Sequence, residues 1–230
     1  MTVQVVRKAI KNLHLGVYPP NGRVRVAAPL AVNDEAVRLA VVGKLGWIKR
    51  QRARFEAQSR QSAREMVSGE THYYLGRRYR LRVVNAIAPS RIQFLNKSTM
   101  ILYVPSEAGF EVRSRVLETW YRGKLRELLH PLMDKWQELL GVKVADWGIK
   151  RMKTRWGGCN PDTRRIWLNL ELAKKPVQCI EYIVVHELAH LIERHHNDRF
   201  VSIMDKHLPH WRLNRQELNA APLANEDWEY

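Results

Sequence analysis

Ile180-Glu181-Tyr182-Ile183-Val184-Val185-His186-Glu187-Leu188-Ala189-His190-Leu191-Ile192 is the stretch on which the fold turns. Apolar residues occupy nearly every side of its helical wheel, and a helix that is apolar all round is buried all round. Side chains at i and i+4 stand one turn apart on the same face, so His186 and His190 can direct two imidazole nitrogens at one divalent ion. Glu187 projects from an adjoining part of the surface. From there its carboxylate reaches a metal-bound water rather than the metal, which is where a general base for hydrolysis belongs. Unpartnered, these three polar groups would be expensive in an apolar setting, and a divalent cation partners all of them. The competing reading is a partly exposed helix with two ordinarily hydrogen-bonded histidines, and the apolar surround weighs against it.

A catalytic zinc site takes three protein ligands, and His195, His196, His207 and His210 follow the motif. His196 is the preferred third ligand, because its distance from His186 lets the helix end near Arg194 and the chain turn back toward the metal. His195 is expected to point into solvent. Glu193 is the main competitor, since carboxylates also serve in hydrolytic zinc sites. Its position three residues after His190 makes joint ligation from one helix awkward.

Upstream, Lys153-Thr154-Arg155-Trp156-Gly157-Gly158-Cys159 and Ile166-Trp167-Leu168-Asn169-Leu170 precede the motif, and His196-Asn197-Asp198-Arg199-Phe200 follows it. In this order the segments resemble the YgjP-like, or SprT-related, zinc metallopeptidase family over roughly residues 110 to 215. The resemblance implies zinc on His186, His190 and His196, a catalytic Glu187, and a zincin-like arrangement of sheet, buried metal helix and packed upstream helix. The chain departs from the family pattern at Gly158, Asn197 and Val201, none of which is an expected ligand.

The expected chemistry is hydrolysis by one zinc ion per chain: the metal acidifies a bound water and Glu187 takes its proton. Arg155, Lys153 and Tyr182 are candidate donors to the developing negative oxygen, although Tyr182 also suits the core and Arg155 suits a role in holding the motif loop. A peptide or protein is the leading substrate. The alternative is a phosphoanhydride hydrolase acting on a nucleoside triphosphate, with magnesium or manganese as the ion and Arg151, Lys153 and Arg155 clamping phosphates. A third reading, a nucleic-acid-associated protease or binding module, comes from charge. The chain has 39 Lys and Arg against 23 Asp and Glu, a formal net charge of +16, and so attracts anions.

With 230 residues and 45% hydrophobic composition the chain can bury a sizeable core in one or two domains. No apolar run approaches a membrane span and the N-terminus lacks a secretory core, so no membrane partner and a cytoplasmic location are expected. Cys159 and Cys179 are too few for a disulfide framework and read as structural thiols.

The fold class expected is α+β: a zincin-like metal helix with a small antiparallel sheet, preceded by a smaller α+β module. Residues 1–105 form that module and residues 106–230 the catalytic domain, with the boundary at Pro105 to Gly109. Val3 to Val26 suggests a hairpin around Pro19-Pro20-Asn21-Gly22, and one helix capped by Asn33 or Asp34 should follow, its stripe being Val37, Val41, Leu45, Ile48 and Phe55. Tyr73 to Val84 and Arg91 to Val104 alternate as strands do. Leu117, Tyr121, Leu125, Leu128, Leu132, Trp136 and Leu139 predict a long helix that Pro131 kinks or divides. Val142 to Lys150 and Arg165 to Leu170 are expected to pair antiparallel around a turn at Gly157 to Pro161, and Pro176 suits the first turn of the metal helix.

Overall fold

The computed structural model describes residues 1–18, 22–57, 65–152 and 155–220. The chain divides near residues 63 and 64 into two units with separate cores.

In the first unit, strands β1 (Val3–Lys8), β2 (His14–Tyr18) and β3 (Arg23–Pro29) form a sheet with β3 in the centre, parallel to β1 and antiparallel to β2. The expected hairpin is therefore β2 and β3, although most of its turn lies outside the described residues. Val24, Val26 and Ala28 alternate inward from β3 onto Val37, Val41 and Ile48. The expected single helix is two, α1 (Asp34–Val42) and α2 (Leu45–Ala57). Asn33 caps α1 by accepting from the Ala36 amide at 2.8 Å, and the Gly43 amide closes it on the Leu39 carbonyl at 2.9 Å. The side chain of Phe55 lies outside the described residues.

In the second unit, β4 (Thr71–Tyr74), β5 (Arg77–Asn85), β6 (Arg91–Phe94) and β7 (Thr99–Val104) form a sheet in the order β4-β5-β7-β6. Its inner face, including Leu81, Met100 and Leu102, joins one continuous core with α3 (Phe110–Leu140) and the metal helix. The Tyr121 hydroxyl donates to the Tyr73 carbonyl at 2.6 Å, and the Leu75 amide donates to the Ala173 carbonyl at 3.0 Å. These ties explain why packing does not divide the chain at residue 105: the second sheet buries its apolar face against the elements that follow it.

Helix α3 passes through Pro131 without dividing. Pro131 lies on the exposed side, where water can satisfy the carbonyl that loses its amide partner. The buried stripe advances by four residues at each step, through Leu117, Tyr121, Leu125, Leu129 and Met133, so Leu128 and Leu132 are only partly buried and Leu139 is exposed. The third sheet, β8 (Asp146–Lys150), β9 (Gly157–Asn160) and β10 (Arg165–Asn169), has the order β8-β10-β9. Here β10 is antiparallel to β9 but parallel to β8, so Gly157 to Asn160 is an edge strand rather than a turn. A 3-10 turn at Leu170–Lys174 then leads into α4 (Val177–Ala189), followed by α5 (Asp198–His207) and α6 (Trp211–Ala220). Among the described residues, no helix is long and apolar enough to cross a membrane.

Candidate metal centre

Helix α4 starts after Pro176, whose missing amide hydrogen carries no penalty there, and packs against α3, α5, α6, β9 and β10. Ile180, Val184, Val185 and Leu188 are fully buried, as an all-round apolar helix requires. The helix ends at Ala189, earlier than the expected Arg194, and His190 is its cap residue. The amides of Ile192 and Glu193 both return to the Ala189 carbonyl at 2.9 Å, which reverses the chain promptly.

This reversal brings His196 back to the helix. Its Nε2 lies 3.1 Å from His186 Nε2, and the ring nitrogens of His186, His190 and His196 all fall within 4.8 Å of one another. Nitrogens bound tetrahedrally at about 2.0–2.1 Å from zinc would stand about 3.3 Å apart; the His186–His196 pair already stands near that spacing, and three neutral imidazoles are a donor set that suits the ion once the third nitrogen closes in. His190 Nδ1 donates to the Glu193 carbonyl at 3.1 Å, leaving its Nε2 free to act as a ligand. Burial, followed by the neighbouring imidazoles, pushes His186 down to about 3, and burial also lowers His190. Both are neutral at physiological pH, as ligands must be.

Glu193, the competing ligand, is used in the turn instead: its carboxylate accepts from the His195 amide at 3.1 Å. His195 is exposed, and neither His207 nor His210 joins the cluster. Asn197 accepts from the Phe200 amide at 3.1 Å, starting α5 one residue after His196. Phe200, 2% exposed, then lies beneath all three histidines, its ring centroid 5.0, 4.8 and 4.7 Å from those of His186, His190 and His196. It forms an apolar floor to the cluster.

Glu187 is 5% exposed, and burial raises its carboxyl to about 8 against the opposing charge of Arg155. The backbone of β9 presses directly on it. A β-carbon added at Gly157 would come within 2.7 Å of Glu187 Cγ and 2.8 Å of Cδ, so this position has no room for a side chain. The approach is held by Asn169, whose side-chain amide donates to the Met152 and Arg155 carbonyls at 2.7 Å each, while its backbone amide donates to the Trp156 carbonyl at 2.9 Å.

A family model described as a YgjP-like metallopeptidase domain matches residues 11–221. The chain belongs to this family. It is therefore a metallopeptidase domain, and so a metal-dependent hydrolase. Among solved structures, it is similar to the crystal structure of the metallopeptidase zymogen of Pyrococcus abyssi abylysin, at 20% identity and a TM-score of 0.36, covering 38% of this chain and 89% of that one. No curated protein matches it.

In this YgjP-like domain a cavity of about 890 Å³ opens over the histidines and Glu187. Arg155 lines it, whereas Lys153 lies outside the described residues. Arg151, the third expected substrate contact, is drawn elsewhere: its guanidinium lies 3.8 Å from Glu118 and 3.9 Å from Glu171, and it does not line the cavity. Tyr182 is both core and site, because it is buried yet lines the cavity, stacked on Trp211 and edge-on to His186. Cys159 also lines it, and burial with the nearby Glu187 pushes its thiol up to about 11, as befits an inert thiol.

Arg194 and Arg215 line the cavity too, and sequence reasoning missed them. Arg215 had one signal available. Trp211 and Leu218 are a buried i, i+7 pair on α6, an amphipathic pattern that marks the helix as packed against the core.

Proposed function

We propose that this chain is a zinc-dependent peptidase in which His186, His190 and His196 hold the metal and Glu187 is the general base. The observation carrying the proposal is the convergence of three histidine nitrogens within 4.8 Å beside a buried carboxylate. When bound, zinc supplies a Lewis acid and brings the ionisation of a coordinated water toward neutral pH. Glu187 accepts a proton from the attacking water and delivers it to the leaving amine nitrogen. Two environments act on that carboxylate in opposite directions: burial favours its protonated form, and Arg155 favours its ionised form. A divalent cation beside it adds to the second, so the loaded site holds a carboxylate ready to accept a proton. Tyr182, which lines the cavity beside His186, is the candidate donor to the developing negative oxygen.

Glu187→Gln tests the assignment. The amide keeps the shape of the side chain but cannot take a proton, so zinc content should stay at one ion per chain while cleavage of an unfolded protein falls about 10²–10⁴-fold. Undiminished cleavage by the zinc-loaded variant rejects Glu187 as the base. A parallel panel of nucleotides with magnesium, manganese and zinc should give no turnover that depends on Glu187.

A further inference from the structure

We propose that this site selects peptides carrying acidic side chains beside the scissile bond, with Arg155, Arg194 and Arg215 as its specificity-determining residues. The inference rests on the peptidase reading and deepens it.

The three guanidiniums come from three places in the chain. Arg155 lies in the segment entering β9, Arg194 in the turn after α4, and Arg215 on α6, yet all line the one cavity that contains His186 and Glu187. Arg155 lies close enough to Glu187 for its charge to be felt there, and Arg215 acts likewise on His186 and Tyr182. All three side chains belong to exposed residues, and none pairs with a described carboxylate. Arginines elsewhere in the same unit do pair: Arg122 with Glu118, Arg165 with Asp146 and Arg212 with Asp205. The cleft thus holds three guanidiniums that form no ion pair among the described residues. Besides Glu187, Asp162 is the only acidic side chain among its described lining residues.

A guanidinium presents a planar fork of donors that matches a carboxylate bidentately, and around a cleft it binds Asp or Glu far better than their amides. Trp156, Trp211 and Leu218 line the same cavity and give it apolar surface, suited to the side chains of an extended peptide. Grooves for single-stranded nucleic acid instead run their basic residues along a backbone track. Here the arginines gather around the reacting centre, and no lysine lines the cavity among the described residues.

The test uses the zinc-loaded Glu187→Gln protein, which should hold peptides uncut, and two fluorescent peptides of one sequence with either Glu or Gln on both sides of the central bond. Anisotropy titrations should show the Glu peptide binding at least about tenfold tighter, with Arg155→Gln and Arg215→Gln each removing about tenfold. Arg215→Glu should turn the preference toward a Lys peptide. Equal affinity for the Glu and Gln peptides overturns the inference, as does displacement of the Glu peptide by a thymidine oligonucleotide or a nucleoside triphosphate at lower concentration than by unlabelled Glu peptide. Cleavage by the wild-type protein separates the two readings. Turnover of both peptides without an acidic preference overturns this inference alone, whereas turnover of no peptide or protein overturns the peptidase reading, and the binding titrations decide the charge preference in either case.

Discussion

Replacing Gly157 by alanine isolates the contact between β9 and the Glu187 carboxylate proposed as the general base. The new methyl carbon would sit 2.7 Å from Glu187 Cγ and 2.8 Å from Cδ. An ordinary carbon contact is about 3.5 Å, so the two must separate by about 0.8 Å. Because β9 is an edge strand that, among the described residues, pairs with β10 alone, part of that separation can come from recoil of the strand, and the rest displaces Glu187. Overpacking of this kind costs about 1–3 kcal/mol, offset by about 0.4–1 kcal/mol from the smaller backbone entropy of the unfolded chain. The net loss of stability is therefore about 1–2 kcal/mol. Displacing a general base by part of that distance is more damaging to rate than to stability, by up to about 10²-fold. The assay is kcat on an unfolded protein substrate at saturating zinc, together with urea denaturation and metal analysis. Gly158→Ala is the control: a β-carbon there meets nothing within 4 Å, so its rate and stability should stay close to wild type. Gly157→Ala with full activity, or a rate loss explained entirely by lost zinc, would refute the reasoning.

Three other outcomes follow from the same geometry. In the metal-free protein, His186 is pushed down to about 3 from an ordinary 6.5, so the unfolded chain binds more protons between those values and stability falls as pH drops through that window. Glu187, raised from 4.5 to about 8, has the opposite sign: the folded chain retains the proton, and stability falls as pH rises from 4.5 to 8. Metal-free Glu187→Gln should therefore gain stability over metal-free wild type as pH rises across that range, and a difference that stays constant in denaturation from pH 4.5 to 8 would count against it. Phe200→Ala removes the floor beneath the three histidines and should cost about 3–5 kcal/mol while weakening zinc retention against a chelator. Asn169→Ala strips the amide that holds the Met152 and Arg155 carbonyls, and should cost about 1–3 kcal/mol and lower kcat without changing the zinc content.

The metal helix was legible because its information is local. An i, i+4 pair of histidines converges in any α-helix, and the apolar residues around it imply burial whatever the partners are. His196 was legible with less security, since its return depends on a reversal that begins at Ala189 rather than near Arg194. The strand pairing was harder to read. Val142 to Lys150 and Arg165 to Leu170 read as strands, but period two is the same in parallel and antiparallel ladders, and the structure pairs Asp146–Lys150 with Arg165–Asn169 in parallel. The division into two units lies near residues 63 and 64, away from the turn-rich loop Pro105 to Gly109, for a related reason. A loop rich in turn-forming residues marks a change of direction, and whether it also separates two cores depends on which surface the sheet before it covers.

By itself the sequence determined the apolar helix, the pair of histidines one turn apart on it, the glutamate between them, and a formal net charge of +16. Each of these rests on neighbours in the chain or on composition. Tertiary structure decided what surrounds the motif: Phe200 under the three imidazoles, Gly157 pressed on Glu187, Arg151 drawn away to Glu118 and Glu171, and Arg194 and Arg215 brought to the cleft beside Arg155. These neighbours lie on separate elements whose spacing along the chain carries no fixed geometry. They meet because burying the apolar faces of α4, α5, α6 and the β8–β10 sheet in one core brings these elements together.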